Sequence, residues 1–274
     1  MIAAEAEMKT FTGKTVVITG GTRGIGKCLA DKLREAGNTV VVLSRTAETD
    51  GRDSFALDVS DEKAVRSVFD KIAENFNGID VLFNNAGYGQ SGAVELIDSA
   101  ALDRIVAVNL MGVVNCTRAA LPHMKEGGKI INISSAASFV PMPFRTMYSV
   151  TKCGVNMFTR GMRQELAGTG IQTTALCLGD IKTEFASRRD KDTETSPRYG
   201  DRIRRADAFV EKRAGSKGKA DLGKTVDAII REASKKKFRA LRIIGAKWKL
   251  TAMLVRNLPA DATDGLMTKV FSEK

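Results

Sequence analysis

Apolar positions along this chain follow two alternating patterns: short β-branched runs, and longer stretches in which they recur every three or four residues. The first run, Thr15-Val16-Val17-Ile18-Thr19, ends at Gly20-Gly21-Thr22-Arg23-Gly24-Ile25-Gly26, after which Ile25, Leu29 and Leu33 hold helical spacing as far as Gly37. Residues 39–43 and 55–59 read as a second and a third strand. Val65, Val68, Phe69, Ile72 and Phe76 mark an amphipathic helix, with Ser60-Asp61 offering its N-cap. Residues 79–83 form a fourth strand, followed by Asn84-Asn85-Ala86-Gly87. A long helical stretch from about residue 100 to 124 leads to a fifth strand at 129–134 that ends at Ser135. A helix over 148–167, a sixth strand at 171–178, a helix over 221–234 and a seventh strand at 239–244 complete the alternation.

Strands that are apolar on both faces and alternate with helices imply a parallel sheet covered on both sides. The expected fold is therefore α/β, a single doubly wound, Rossmann-type domain with a seven-stranded parallel sheet. Ligands of such sheets bind outside the carboxyl ends of the strands, and every polar cluster above lies there or opens the next helix. Only residues 45–54 join the second and third strands, too few for a full crossover helix, so a short turn is expected. Within one domain spanning 1–274, residues 10–183 form the cofactor and catalytic core. Residues 184–220, polar and weakly periodic, read as a mobile substrate flap with a helix near 201–213. The tail, 245–274, carries Leu250, Met253, Leu254, Leu258 and Pro259 and reads either as a helix over the cleft or as an amphipathic membrane contact.

Composition narrows this picture. A chain of 274 residues, 43% of them hydrophobic, can bury a sizeable core. No stretch approaches the roughly 18 uninterrupted apolar residues of a membrane span, and Glu5, Glu7 and Lys9 fall where a signal peptide needs an apolar run, so a cytoplasmic protein is expected. Cys28, Cys116, Cys153 and Cys177 are scattered inside apolar segments and read as buried thiols. With His123 the single imidazole, placed near a helix end and read as a surface residue, no metal site is expected. Met142, Met147, Met157 and Met162 read as cleft wall and core filler.

The net charge of +11 is concentrated: residues 182–249 hold 21 Lys and Arg against 10 Asp and Glu, leaving 22 of each sign elsewhere. That segment is either a solvated basic surface or a positive rim for an anionic substrate, cofactor or lipid headgroup. Nucleic acid is not expected as a partner, since aromatics for stacking are few and no binding motif is present.

Two groupings carry chemistry. Tyr148 and Lys152 lie one helical turn apart, so the ammonium can lower the phenol's pKa toward neutrality, and Ser135 lies thirteen residues upstream of the tyrosine. The glycine turn is a phosphate cradle: small residues admit a pyrophosphate, and the following helix aims its N–H groups and positive dipole end at it.

The spacing Gly20-x3-Gly24-x-Gly26, with Asn85-Ala86-Gly87, Asn109, Ser135 and Tyr148-x3-Lys152, resembles the short-chain dehydrogenase/reductase family from about Thr10 to Thr183. The resemblance implies that Tyr148 is the general acid or base and that Lys152 tunes it and holds the nicotinamide ribose. Ser135, rather than Ser134, would bind the substrate oxygen, and Asn109 would hold a water linking Lys152 to solvent. Gly20, Thr22, Arg23, Gly24, Ile25 and Gly26 would cradle the cofactor, Asp58 would meet the adenine, and Asn85, Ala86 and Gly87 would line its ribose side. Relatives specific for NAD end the second strand with an acidic residue; here Ser44-Arg45 stand there, with Thr22 and Arg23 opposite, which suits the 2′-phosphate of NADP(H). The family's Pro-Gly after the sixth strand is replaced by Leu178-Gly179, leaving Thr183 for the carboxamide end of the cofactor.

The expected activity is an NADP(H)-dependent oxidoreductase that interconverts a ketone and a secondary alcohol. Gly87-Tyr88-Gly89-Gln90 and Pro141-Met142-Pro143-Phe144 suggest a hydrophobic, steroid-like or lipid-like substrate. The alternatives are a 3-oxoacyl thioester reductase, with the basic segment facing an acidic carrier or coenzyme A, and a non-catalytic NADP(H)-binding scaffold. By resemblance, a homodimer or homotetramer forms through the helices bearing Asn109 and Tyr148.

Overall fold

A computed structural model of the chain describes residues 11–50, 52–192, 194–215 and 220–272. Residues 1–10 of the stretch read against a signal peptide, part of the flap (193 and 216–219) and the last two tail residues lie outside that description.

The strands are β1 (Thr15–Thr19), β2 (Thr39–Ser44), β3 (Ser54–Ala56), β4 (Ile79–Asn84), β5 (Met124–Ser135), β6 (Gln172–Leu178) and β7 (Leu241–Ile244). Between and after them come α1 (Gly24–Glu35), α2 (Glu62–Phe76), α3 (Ser99–Val106), α4 (Gly112–Ala120), α5 (Thr146–Glu165), α6 (Arg202–Gly215), α7 (Leu222–Ser234), α8 (Ala246–Asn257) and α9 (Ala260–Ser272). All seven strands pair in parallel in the order β3-β2-β1-β4-β5-β6-β7. The order reverses between β1 and β4, which opens a crevice at their carboxyl ends.

Alternation along each strand splits the core into two layers. Val16, Ile18, Val40, Val42, Val81 and Phe83 pack against Leu29 and Leu33 of α1 and Val226 and Ile229 of α7. Val17, Val41, Leu43 and Leu82 face the other way, onto Val65, Phe69 and Ile72 of α2 and Cys116 and Ala120 of α4. Each large side chain so buried contributes about 1.5–3 kcal/mol. Asp61 caps α2 by accepting from Ala64 N at 2.9 Å, and Asp221 caps α7 by accepting from Lys224 N at 2.9 Å.

Several elements depart from the sequence pattern for local reasons. The third strand stops at Ala56 because its partner β2 ends opposite it, at Ser44; Leu57 N still donates to Ser44 O at 3.1 Å, and Asp58 and Val59 have no ladder to join among the described residues. Among its described residues the turn between β2 and β3 contains no helix, and it is organised by Asp50, whose carboxylate accepts from the backbone of Arg52, Asp53 and Ser54 at 2.9–3.0 Å. Those bonds, the one from Arg52 foremost, hold its pKa down at about 2. The long helix is interrupted by a π-turn over Ala107–Met111 and closes in a 3-10 turn at Leu121–His123, which contains Pro122. The whole stretch Ser99–His123 has the length and hydropathy of a membrane span, yet its buried Asn109 and Asn115 are hydrogen-bonded to Tyr88 and Val59 within the fold.

Cys153 and Met157 are exposed on α5 rather than buried as thiol and filler. His123 bonds Asp70 of α2 at 2.8 Å. The flap is tied down: the fully buried guanidinium of Arg189 pairs with Asp207 of α6 and reaches Ser91 Oγ at 3.1 Å. Residues 90–91 and 190–191 also pair as a short parallel ribbon.

Candidate active site

The glycine turn leaves β1 at the point where the strand order reverses. Gly20 adopts φ +67°, and a Cβ on it would lie 3.0 Å from Ala86 Cα. A Cβ on Gly26 would collide with the Gly20 carbonyl, so α1 enters against bare backbone. Unlike α2 and α7, α1 receives no side-chain cap at its N-cap residue, Arg23, leaving its first N–H groups for a ligand. Asn85 spends its amide donors on Thr19 O at 2.9 Å and Gly20 O at 3.1 Å, while Thr19 Oγ accepts from the backbone of Asn85 and Ala86 at 2.9 Å. Asn85 is thus a staple for the turn as well as a wall of the cleft.

At the end of β2 the side chains form a hydroxyl cluster. Thr22 lies 2.9 Å from Ser44 and 3.1 Å from Thr46, and Arg23 donates to Thr46 at 3.2 Å. Arg23 and Arg45 are exposed and line the same end of the cleft. Asp58, two residues beyond β3, is desolvated, which raises its pKa, but bonds from Ser60 at 2.6 and 2.9 Å and the charge of Arg45 bring it below the usual carboxylate range.

The other end holds the tyrosine. Tyr148 is buried at the start of α5, and burial raises its pKa; the Arg145 guanidinium and a hydrogen bond with Ser135 act against that rise without cancelling it. The i,i+4 spacing of Tyr148 and Lys152 predicts that the ammonium lowers this pKa. In the structure the charge next to the phenol is Arg145, whose Cζ stands 4.8 Å over the Tyr148 ring. Arg145 is itself held below its usual pKa by burial, and its Nε has no hydrogen-bond partner among the described residues. It follows Phe144, a non-glycine residue at φ +57°, a backbone conformation that costs on the order of 1–3 kcal/mol and concentrates at functional sites.

Lys152 donates to the carbonyl of Ile133 at 2.9 Å, and burial brings its pKa down to about 8. Beneath it runs a buried polar chain in which Asn84 donates to Asn132 and Asn132 donates to Thr159, both at 2.8 Å. Ser134 turns away, donating to Lys152 O at 3.3 Å, while Ser135 Oγ accepts from Ala137 N at 3.2 Å. Asn109, fully buried in the π-turn, accepts from Tyr88 N at 2.9 Å and donates to Tyr88 O at 2.8 Å, fixing the loop after β4. Gly87 lies between this amide and Lys152 Nζ.

These groups converge on one cleft of about 510 Å³. It takes in Gly20, Thr22, Arg23, Gly24, Ile25, Ser44, Arg45, Asp58, Asn85, Ala86, Gly87, Ser135, Tyr148, Lys152 and Thr183; Gly26 and Asn109 stand just behind. Sequence reasoning missed three further contributors. Phe185 sets its ring 5.9 Å from that of Tyr148, Arg145 has been described above, and Trp248 of α8 lies against Gly179 where a Cβ would stand. Gly179, the residue kept from the family's Pro-Gly pair, leaves room for the indole, so the tail supplies one wall. Gly179→Ala is therefore expected to displace Trp248 and α8 and to destabilise the protein by about 1–3 kcal/mol, measured by urea denaturation; an unchanged midpoint would mean that the indole does not press on this residue.

A cradle built on bare glycine backbone at the switch point of a parallel sheet defines an α/β protein of the dinucleotide-binding kind. A family model for short chain dehydrogenase matches residues 14–194, and the chain belongs to that family. It is 37% identical to a ketoacyl reductase, HetN, of Nostoc sp. over 64% of this chain and 66% of that protein. It is 33% identical to a 3-ketodihydrosphingosine reductase of Bacteroides thetaiotaomicron over 72% of this chain and 76% of that one. A short-chain dehydrogenase from Streptomyces avermitilis superposes with a TM-score of 0.79 at 25% identity, covering 94% of this chain and 96% of that chain.

Proposed function

We propose that this oxidoreductase interconverts a ketone and a secondary alcohol on a hydrophobic, lipid-like substrate, using NADP(H). The observation that carries the reading is the Tyr148 hydroxyl, buried and hydrogen-bonded to Ser135 within the cleft that also takes in the glycine cradle. The cradle fits the dinucleotide: Gly24 faces open space on the cleft, Gly20 and Gly26 let the turn close on bare backbone, α1 offers uncapped N–H groups, and Arg23, Arg45, Ser44 and Thr22 at the same end suit a 2′-phosphate. When bound, the nicotinamide supplies or accepts the hydride.

The chain's own residues handle the proton and the geometry. Because burial keeps the Tyr148 phenol above its usual pKa, it is protonated at neutral pH and poised to donate to a carbonyl oxygen. Ser135 holds the same oxygen, and Lys152 sets a positive charge behind the ribose side of the cleft. Asn109 keeps Tyr88 and its loop in place, with one lone pair of Oδ1 left for the water that the family resemblance assigns to it. Phe185, Met142 and Val140 supply apolar walls that exclude water. The similarity to a 3-ketodihydrosphingosine reductase supports a lipid-like ketone. The similarity to a ketoacyl reductase, with Arg188 and Lys247 on the cleft, keeps the 3-oxoacyl thioester as the second reading. Assembly is proposed through the π-turn that bears Asn109 and through α5, where Met111, Val150 and Met157 are exposed.

Lys152 also yields a test by pH. Its folded pKa of about 8 lies below the ordinary 10.5, so carrying the charge in the buried site costs stability in full below pH 8. As pH rises from 8 toward 10.5 the folded protein sheds this proton before the unfolded chain does, and stability rises. The unfolding free energy of Lys152→Met relative to the native protein should fall by roughly 3 kcal/mol between pH 7 and pH 10.5. A pH-independent difference would contradict a charged buried lysine.

A further inference from the structure

Helix α8 has two faces with different surroundings. Trp248 and Thr251 line the cleft and Ala252 is buried, so one side belongs to the catalytic domain. On the opposite side Leu250, Met253 and Leu254 are 55, 55 and 49% exposed, and Leu258 just beyond the helix is 47% exposed. At 3.6 residues per turn the first three fall within an arc of about 100°, so they form one continuous stripe. Scattered exposed leucines are ordinary on a protein surface, but a contiguous stripe rimmed by polar groups marks a contact.

The rim contributed by α8 is cationic. Lys249 and Arg256 border one edge of the stripe and Lys247 the other, and residues 246–258 contain no acidic side chain. All three cations are exposed, and the helix lies at the end of the segment that holds the chain's entire basic excess. Long cationic side chains beside an apolar stripe can lay their stems along the hydrocarbon and reach anionic headgroups. A second copy of this chain is a poor occupant, because a two-fold contact would set these cations against their own counterparts. The exposed Met111 of the π-turn and Val150 and Met157 of α5 give self-association a different site.

We propose that the outer face of α8 docks the protein on an anionic lipid surface, Leu250, Met253 and Leu254 entering the acyl boundary and Lys247, Lys249 and Arg256 pairing with headgroup phosphates. The inner face of the same helix walls the cleft, so docking sets the cleft one helix away from the bilayer. The proposal does not depend on turnover, and its test is binding. The full-length chain is sedimented with vesicles of phosphatidylcholine alone and of phosphatidylcholine containing roughly one-third phosphatidylglycerol. The native protein should bind the anionic vesicles on the order of 100-fold more tightly, as three surface cations imply.

Leu250→Glu/Leu254→Glu should abolish that binding. Lys249→Glu/Arg256→Glu should remove the preference for anionic lipid. Both variants should keep the native melting temperature and, if the proposed activity is correct, the native rate on a small soluble ketone. Equal binding to the two vesicle types, or binding unaffected by the leucine substitutions, overturns the proposal. So does a concentration-dependent oligomer of the native protein that the leucine variant loses, or capture of an acidic protein without any vesicle binding.

Discussion

Replacing Tyr148 with phenylalanine is expected to lower kcat/KM for carbonyl reduction by roughly 10²–10⁴-fold while leaving cofactor binding and folding intact. The substitution removes one oxygen from a buried ring whose packing against Phe185 and under Arg145 is made by carbon. What is lost is the proton donor. The effect should fall on kcat more than on KM, because the hydroxyl acts on charge that develops in the transition state. Steady-state kinetics combined with cofactor titration by fluorescence separate the two; a variant that keeps native turnover would remove Tyr148 from the reaction.

The second large effect is expected at the other end of the cleft. Arg23→Ala/Arg45→Ala should cost NADPH roughly 10²–10⁴-fold in affinity, since each charge-assisted bond to a phosphate is worth about 1.5–3 kcal/mol. NADH should lose little, because it carries no 2′-phosphate for these groups to meet. Dissociation constants for both cofactors with the native and doubly substituted proteins decide the matter. Equal losses for the two would mean that the arginines act on the dinucleotide as a whole, or on folding, rather than on the phosphate.

The parts of the fold that were legible in the sequence are those fixed by local pattern. β-branched runs, helical spacing and the N-cap at Asp61 are properties of neighbouring residues, and the structure places all seven strands close to where those patterns fall, in one parallel sheet. The glycine turn, Tyr148 and Lys152 could be found because motif spacing is also local, and the structure gathers them in one cleft.

What escaped depends on contacts between distant segments. The effect on the Tyr148 phenol could not be signed from an i,i+4 pair, because burial outweighs nearby charge and is a property of the whole cleft. Arg145 reads as an ordinary loop residue until the left-handed Phe144 is seen beside it. Trp248 meets Gly179 only because the tail returns to the sheet, and the weakly periodic flap is ordered by contacts between distant segments, among them the buried Arg189–Asp207 pair and the ribbon of residues 90–91 with 190–191. The π-turn that holds Asn109 has no signature in a helix whose apolar spacing continues through it.

The central claim, that the buried tyrosine of this cleft protonates a ketone at the expense of NADPH, is tested most directly by initial rates. Purified native protein and Tyr148→Phe are assayed with a panel of hydrophobic ketones and 3-oxoacyl thioesters, with NADPH and NADH run side by side at neutral pH. The expected result is ketone-dependent oxidation of NADPH in preference to NADH, lost in the phenylalanine variant. Turnover that survives the substitution, or tight cofactor binding with no oxidation on any carbonyl in the panel, would contradict it.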